Sequence, residues 1–265
     1  MFVNSINPTL FQIGIFEIRF YGIVYALGLL LLYWFLHKKK DEINITENQM
    51  DNIFILIAAG MIIGARLAHF LFSGASYFAN FIKDPLEFFR IWNGGMSFFG
   101  GLALGLLLPL IYMKKNRIKW LRVADVVSLP LAFTLIFGRI ANYINSEFVG
   151  TITNVKWCVI YTKVDSFCRH PYQIYAAISH LVLFGILLLL YKNRSKLKIK
   201  DGTIFFSFIA LYGLFRFITD FFRLDTQYFG LIVGQYTSII VFIIGLIALK
   251  KIQSKKEKKK ISLMG

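Results

Sequence analysis

The sequence predicts an all-α, polytopic integral membrane protein of about seven spanning helices, and three observations predict it. Hydrophobic residues fill 57% of 265 positions and the mean hydropathy is +0.62. A soluble domain of this length could not bury that much apolar surface without large exposed patches. The apolar residues come in runs of roughly twenty, the length that crosses a hydrocarbon core about 30 Å thick. The runs lack strict alternation, so they read as helices and not as strands of a barrel.

Charge supplies the orientation. The net charge is +16, carried by thirty Lys and Arg against fourteen Asp and Glu. Twenty of the thirty fall in four clusters, at 38–40, 114–122, 192–200 and 250–260, each directly after an apolar run. That is the pattern of cytoplasmic loops, with some attraction to anionic lipid added, and it makes nucleic acid a poor partner.

The spans read as 16–36, 53–72, 95–113, 124–144, 173–191, 203–222 and 234–249. This order places the N-terminus outside, the C-terminus inside and every basic cluster on the inner side. The start of the chain lacks a basic n-region and a small-residue cleavage site, so its first apolar run reads as a retained anchor. Residues 1–265 form one membrane domain with two outer insertions and a basic cytoplasmic tail at 250–265. Segment 73–93 is an arm, broken at Asp84-Pro85, with Arg90, Ile91 and Trp92 expected at an interface. Segment 145–172 is a small extramembrane head with Trp157, Tyr161 and both cysteines. Cys158 and Cys168 have nine residues between them, and both a disulfide and two free thiols stay open.

Polar residues inside apolar spans are costly, so each one asks for a partner or a function. In Gly138-Arg-Ile-Ala-Asn-Tyr-Ile-Asn-Ser-Glu-Phe-Val-Gly150, helical spacing puts Arg139, Asn142 and either Asn145 or Ser146 on one face. Glu147 follows at the helix end, and Gly150 permits a turn. In the sixth span Tyr212, Arg216 and Asp220 are four apart and share a stripe. An ion pair of Arg216 with Asp220 is the plain reading of those two. Two intramembrane arginines on different helices also suit a phosphate, which a guanidinium binds bidentately without losing its charge.

Other polar positions say less. Arg19 and Tyr21 open the first span, where a belt of snorkelling and aromatic residues is ordinary. Arg66 and His69 in the second span are more often structural. Gly101 and Gly105 give a packing face of small residues. His170-Pro171 opens the fifth span, and His37 and His180 read as interfacial or packing residues. The histidines and cysteines lack the spacing of a metal site, and no nucleotide loop or serine elbow appears, so no cofactor is expected.

Taken in order, these blocks resemble the bacterial phosphatidylglycerol–prolipoprotein diacylglyceryl transferases over essentially the whole chain. The blocks are Arg19-Phe-Tyr-Gly22, Gly64-Ala-Arg-Leu67, Asp84-Pro-Leu86, Gly94-Gly-Met-Ser97, Gly100-Gly-Leu102, the stretch from Gly138 to Glu147, Arg169-His-Pro-Tyr-Gln-Ile-Tyr175 and Tyr212-Gly-Leu-Phe-Arg216. The stretch around Arg139 to Gly150 is the most specific. The resemblance implies transfer of a diacylglyceryl group from phosphatidylglycerol to the lipobox cysteine thiol of a preprolipoprotein. A thioether forms and glycerol phosphate leaves. It implies a multi-pass protein of the bacterial inner membrane with a periplasmic N-terminus; a monomer is compatible with it. Tyr21, Arg139, Asn142, Glu147, Gly150, Tyr212 and Arg216 match the family's essential positions. The candidate catalytic set is Arg139, Arg216, Tyr212, Glu147 and Asn142; the candidate substrate-binding set is Arg139, Tyr21, Gly150, Arg66 and Asn145.

Two positions depart from the family. Phe99 stands where it typically has a histidine, and Ala176 where it has a glutamate; its acidic residue below the second arginine is kept as Asp220. With no histidine at 99, the thiol proton would go to Glu147, Tyr212, His69 or a bound water. A lipid- or signal-peptide-binding relative without turnover is the alternative reading, and a transporter has less support, with no broken-helix pair or inverted repeat visible.

Overall fold

The computed structural model describes residues 2–14, 16–72, 74–90 and 94–261. They hold eight α-helices: α1 (Phe20–Ile43), α2 (Glu47–Phe72), α3 (Ala75–Lys83), α4 (Phe98–Lys115), α5 (Trp120–Asn145), α6 (Tyr172–Lys192), α7 (Thr203–Thr219) and α8 (Val233–Ile261). All but α3 are long and apolar enough to cross a membrane. The chain is therefore a polytopic helical membrane protein.

Helix ends follow local chemistry. Thr46 and Gln49 form a reciprocal capping box at the start of α2: the Gln49 N–H donates to Thr46 Oγ1, and the Thr46 N–H donates to Gln49 Oε1. Ser97 caps α4 through its hydroxyl, so α4 begins three residues later than the span expected from 95. Gly94 and Gly95 lie just before it at φ +82° and +73°, a backbone that suits glycine. The first span starts later too. Phe16–Arg19 is a strand and α1 begins at Phe20, because Phe-Glu-Ile-Arg alternates with period two and not with a helical period. Arg90 of the arm makes ion pairs with Asp84 and Glu87 at 2.6 and 3.0 Å; Ile91 and Trp92, expected at an interface, lie outside the described residues. The basic tail continues α8 as helix to Ile261.

The chain forms two compact units. One comprises Leu29–Val123 with Gly14–Glu17. Its centre is the crossing of α2 and α4 on glycine. A Cβ at Gly64 would fall on the Gly100 carbonyl oxygen, and one at Gly60 would stand 2.6 Å from the Leu104 carbonyl oxygen. Backbones this close are the way helices associate in lipid, where packing replaces the hydrophobic drive.

The other unit comprises Met1–Ile13, Ile18–Gly28 and Ala124–Gly265. Here α7 and α8 also meet on small residues: a Cβ at Gly213 would stand 2.7 Å from both the Phe242 nitrogen and the Ser238 carbonyl oxygen. Gly28 of α1 approaches Thr134 of α5, where a Cβ would stand 2.5 Å from the Thr134 methyl. Between α5 and α6, the strands Val159–Tyr161 and Cys168–Arg169 are antiparallel. The chain's first strand (Phe2–Asn4) adds parallel to Val159–Tyr161, pairing Phe2 with Val159 and Asn4 with Tyr161. Buried Asn4 also donates from Nδ2 to the Tyr143 carbonyl at 2.6 Å. The N-terminus thus belongs structurally to the expected head.

Of the two readings of the cysteines, the disulfide is formed, Cys158 to Cys168, with Cα atoms 5.4 Å apart. Nearby, the Arg169 guanidinium holds the Asp165 carboxyl below its usual range. That pair supports the folded segment above the unfolded carboxyl value near pH 4, and its contribution is lost on further acidification. Replacing both cysteines with serine should lower head stability by about 2–3 kcal/mol. Proteolytic nicking within 151–171 should appear at a lower temperature than cleavage elsewhere, whereas an unchanged midpoint would show that the crosslink carries no stability.

Candidate active site

The site is built from the ends of α1, α5, α6 and α7 in the second unit. It begins with how α5 stops. The Ser146 N–H donates to the Tyr143 carbonyl at 3.1 Å and the Glu147 N–H to the Asn142 carbonyl at 3.0 Å. These are the paired hydrogen bonds of a Schellman ending, in which the residue past the cap is left-handed. Ser146 fills that place at φ +59°, with its hydroxyl buried and unbonded. The reversal swings Glu147 back over the helix end, within reach of Asn142. Glycine suits φ +59° better, so Ser146→Gly should raise stability by about 0.5–1 kcal/mol. A thermal midpoint in detergent that falls would contradict this account of the turn.

Asn142 is buried, and both hydrogens of its Nδ2 are used. One goes to the Tyr21 hydroxyl and the other to Glu147 Oε2 at 2.9 Å. Asn145 donates to Glu147 Oε1 at 3.1 Å. The carboxylate is thus held by two amides while its side chain stays exposed. Tyr21 arrives because α1 and α5 run close: Gly28 meets Thr134, and about two turns further on Tyr21 meets Asn142. The Glu147 carbonyl accepts from Gln173 Nε2 at 2.6 Å, and Gln173 in turn accepts from Tyr161 of the head.

The arginines converge on Tyr172, the first residue of α6. The Arg139 guanidinium lies over the Tyr172 ring, 5.8 Å from its centroid. The buried Tyr172 hydroxyl donates to Asp220 Oδ1 at 2.6 Å. Arg216 Nε lies 3.5 Å from Asp220 Oδ2, so the expected ion pair exists, but neither atom makes a hydrogen bond. Arg216 Nη1 donates to the Tyr212 hydroxyl at 3.2 Å, and Tyr212 stacks on His180 at 5.7 Å. Gly234 leaves room for this group, since a Cβ there would stand 2.5 Å from Asp220 Oδ2. Arg139 makes no hydrogen bond or ion pair among the described residues. One guanidinium is therefore open and the other only loosely engaged, a pair suited to an anion.

Gly150 sits where two main-chain segments touch. It bridges Arg223, and its carbonyl accepts from Arg169 Nη1 at 3.1 Å. A Cβ there would stand 2.7 Å from His170 Cβ and 2.8 Å from the Phe222 carbonyl oxygen.

Arg66 belongs to the other unit. It is 1% exposed, and each guanidinium nitrogen donates to a main-chain carbonyl: Nε to Phe88, Nη1 to Gly94 and Gly95, Nη2 to Glu87. In this structure, the residue expected to bind substrate is instead engaged as a clamp for the arm and the glycine turn. His69 of the same unit packs edge-on to Tyr77 at 4.7 Å, and Phe99, in the first turn of α4, is 77% exposed. Sequence reasoning left Tyr172 and Gln173 without roles, although both lie in the Arg169–Tyr175 block. Pro171 before them was the available signal, because proline at a helix start fixes which residues open the helix.

Seven spanning helices with two arginines, a clamped carboxylate and a buried phenol gathered at helix ends define a multi-pass membrane protein with a polar, anion-directed site. Comparison with known proteins makes this specific. A family model described as prolipoprotein diacylglyceryl transferase matches residues 8–250. The chain is 34% identical over 249 residues to a phosphatidylglycerol–prolipoprotein diacylglyceryl transferase of Geobacter sulfurreducens, covering 91% of this chain and 93% of the relative. It is 35% identical to the enzyme of that name from Ehrlichia ruminantium, covering 93% and 96%, and 34% identical to that of Bacteroides fragilis, covering 91% of each. The chain belongs to the prolipoprotein diacylglyceryl transferase family, and it is a transferase.

Proposed function

We propose that the chain transfers the diacylglyceryl group of phosphatidylglycerol to the lipobox cysteine of a preprolipoprotein, at the site around Tyr172. The observation that carries this reading is the open pair of guanidiniums, Arg139 with no hydrogen bond or ion pair among the described residues and Arg216 with an unbonded Nε. Phosphatidylglycerol enters sideways from the outer leaflet, with its acyl chains still in lipid. Arg139 and Arg216 hold its phosphate, with Asn142 and Tyr212 adding hydrogen bonds. The acceptor sulfur attacks the glycerol carbon that bears the phosphate. The carbon–oxygen bond breaks, its electron pair passes to the phosphate, and glycerol phosphate leaves. Preorganised donors facing that charge are the main catalytic term, and seating both reactants together supplies orientation.

The thiol needs little help to ionise. With an ordinary value near 8.5, a few per cent is thiolate at neutral pH. Glu147, exposed and held by Asn142 and Asn145, is the acceptor we assign to the proton. Phe99, in the family's histidine position, can accept no proton.

The protein lies in the bacterial inner membrane with its N-terminus and the Cys158–Cys168 head outside and its C-terminus inside. The four basic clusters and the disulfide support that orientation. Residues 145–172 form the head, which guides the lipoprotein to the site, and residues 73–93 form the arm of the other unit.

The test uses purified protein in phosphatidylglycerol micelles with a synthetic lipobox peptide, read by mass spectrometry for the diacylglyceryl adduct. Adduct from the natural chain and from Glu147→Asp, but not from Arg139→Ala, is the expected result. Adduct only after Phe99→His would overturn the reading and leave a binding protein in its place.

A further inference from the structure

Arg223 lies outside the residues assigned so far, yet the fold fixes it beside them. The Thr151 N–H donates to the Phe222 carbonyl and the Leu224 N–H to the Val149 carbonyl, each at 3.0 Å, while Arg223 bridges Gly150. Its own N–H donates to the Asp220 carbonyl at 3.2 Å. Main-chain bonds on both sides thus place this residue between the segment that follows Glu147 and the one that carries Asp220. Its guanidinium lies 4.8 Å over the Phe148 ring, and Tyr172 lies within Coulombic reach of Arg223 as well as of Arg139 and Asp220.

The pairing of Arg223 is half complete. Nη2 lies 2.8 Å from Asp225 Oδ2, whereas Nε is buried without a hydrogen-bond partner. The side chain of Arg223 is 16% exposed and that of Asp225 40%. Nε and Nη2 form the edge of a guanidinium that takes two oxygens of one anion side by side. A half-exposed carboxylate holds one corner of that edge, while the other corner makes no hydrogen bond. An ion pair with one partner this open to solvent is weakly held.

The reaction supplies an anion that such an edge fits. Phosphatidylglycerol carries one phosphate charge; once the carbon–oxygen bond breaks, the departing monoester carries up to two, the second being the charge the thiolate brought. We propose that Arg223 is a third anion-binding group of this site, whose Nε–Nη2 edge receives the departing glycerol phosphate in place of Asp225. This rests on the transferase reading above.

Product inhibition tests it. Adduct formation is measured with added glycerol phosphate for the natural chain, Arg223→Ala, Arg223→Lys and Asp225→Asn. Arg223→Ala should raise the inhibition constant about tenfold or more, the factor for losing a charge-assisted hydrogen bond, with less effect on KM for phosphatidylglycerol than on kcat. Arg223→Lys should recover part of the loss, as a point charge without the fork. Asp225→Asn keeps the arginine and removes its competitor, so its inhibition constant should fall below that of the natural chain. A lower kcat in Arg223→Ala with unchanged product inhibition overturns the proposal, because a merely structural arginine would behave so. If Arg223→Ala fails to fold, Asp225→Asn decides alone, and an unchanged inhibition constant overturns the proposal. If the natural chain makes no adduct, the transferase reading fails; thermal shift of the same variants with glycerol phosphate then still decides whether Arg223 binds it.

Discussion

Arg139→Ala should lower the rate of adduct formation roughly 10²–10³-fold, the usual cost of removing one preorganised donor from a developing anion. It should do so with little change in stability. Arg139 has no ion pair or hydrogen bond to lose among the described residues, only its place over the Tyr172 ring, and such contacts are worth about 0.5–1 kcal/mol at exposed sites. Arg216→Ala is the instructive contrast. It removes the same kind of donor, but it also strips the cation from Asp220, whose side chain is 0% exposed. A buried carboxylate left uncompensated costs about 3–5 kcal/mol, so this variant should lose both rate and thermal stability. The double change Arg216→Ala with Asp220→Ala should recover stability without activity. Lysine at 139 should restore only part of the rate, since an ammonium lacks the planar fork. Normal activity in both single alanine variants would remove the phosphate from this site altogether.

The contrast between the two arginines also marks how far the sequence reaches. Span length, basic clusters and the spacing of Arg139, Asn142 and Asn145 are local properties, and local properties survive folding. The Arg216–Asp220 pair is legible for the same reason, being one helical turn apart. Tyr172 is not legible in this way: its value lies in touching Arg139 of one helix and Asp220 of another, and no periodicity encodes a contact between helices. The first strand is a stronger case. Phe2–Asn4 pairs with residues more than 150 positions away, a partnership that three residues of sequence cannot announce. Arg66 shows the converse case. An arginine inside an apolar span invites a ligand, but here main-chain carbonyls of the arm, at Phe88 and Glu87, take up its donors. Arg223 stayed unread because it sits past a helix end, where a cation is ordinary; only its incomplete pairing sets it apart.

Gly150→Ala should abolish activity while leaving the helices intact, a large effect from one methyl group. The physical reason is the identity of the neighbours. The new Cβ would fall on the His170 carbonyl oxygen and stand 2.7 Å from His170 Cβ and 2.8 Å from the Phe222 carbonyl oxygen. Two of these three are main-chain atoms, which cannot swing aside as the end of a flexible side chain can. Relief therefore requires the Val149–Thr151 segment to part from Phe222–Leu224, breaking the hydrogen bonds from Thr151 and Leu224. Overpacking of this kind costs about 1–3 kcal/mol, a modest sum for the protein as a whole. For the site the displacement matters more. Glu147 lies three residues before Gly150, Asp220 lies two before Phe222, and a shift of about 1 Å in a catalytic arrangement can cost 10²-fold in rate. Gly185→Ala is the matched control, because a Cβ there meets nothing within 4 Å. Its helix should gain about 0.5–1 kcal/mol from the better helix former. Circular dichroism, thermal midpoint and adduct yield measured on both variants separate the cases. If Gly150→Ala keeps its activity, the close approach of these two segments is not what holds Glu147 and Asp220 in place.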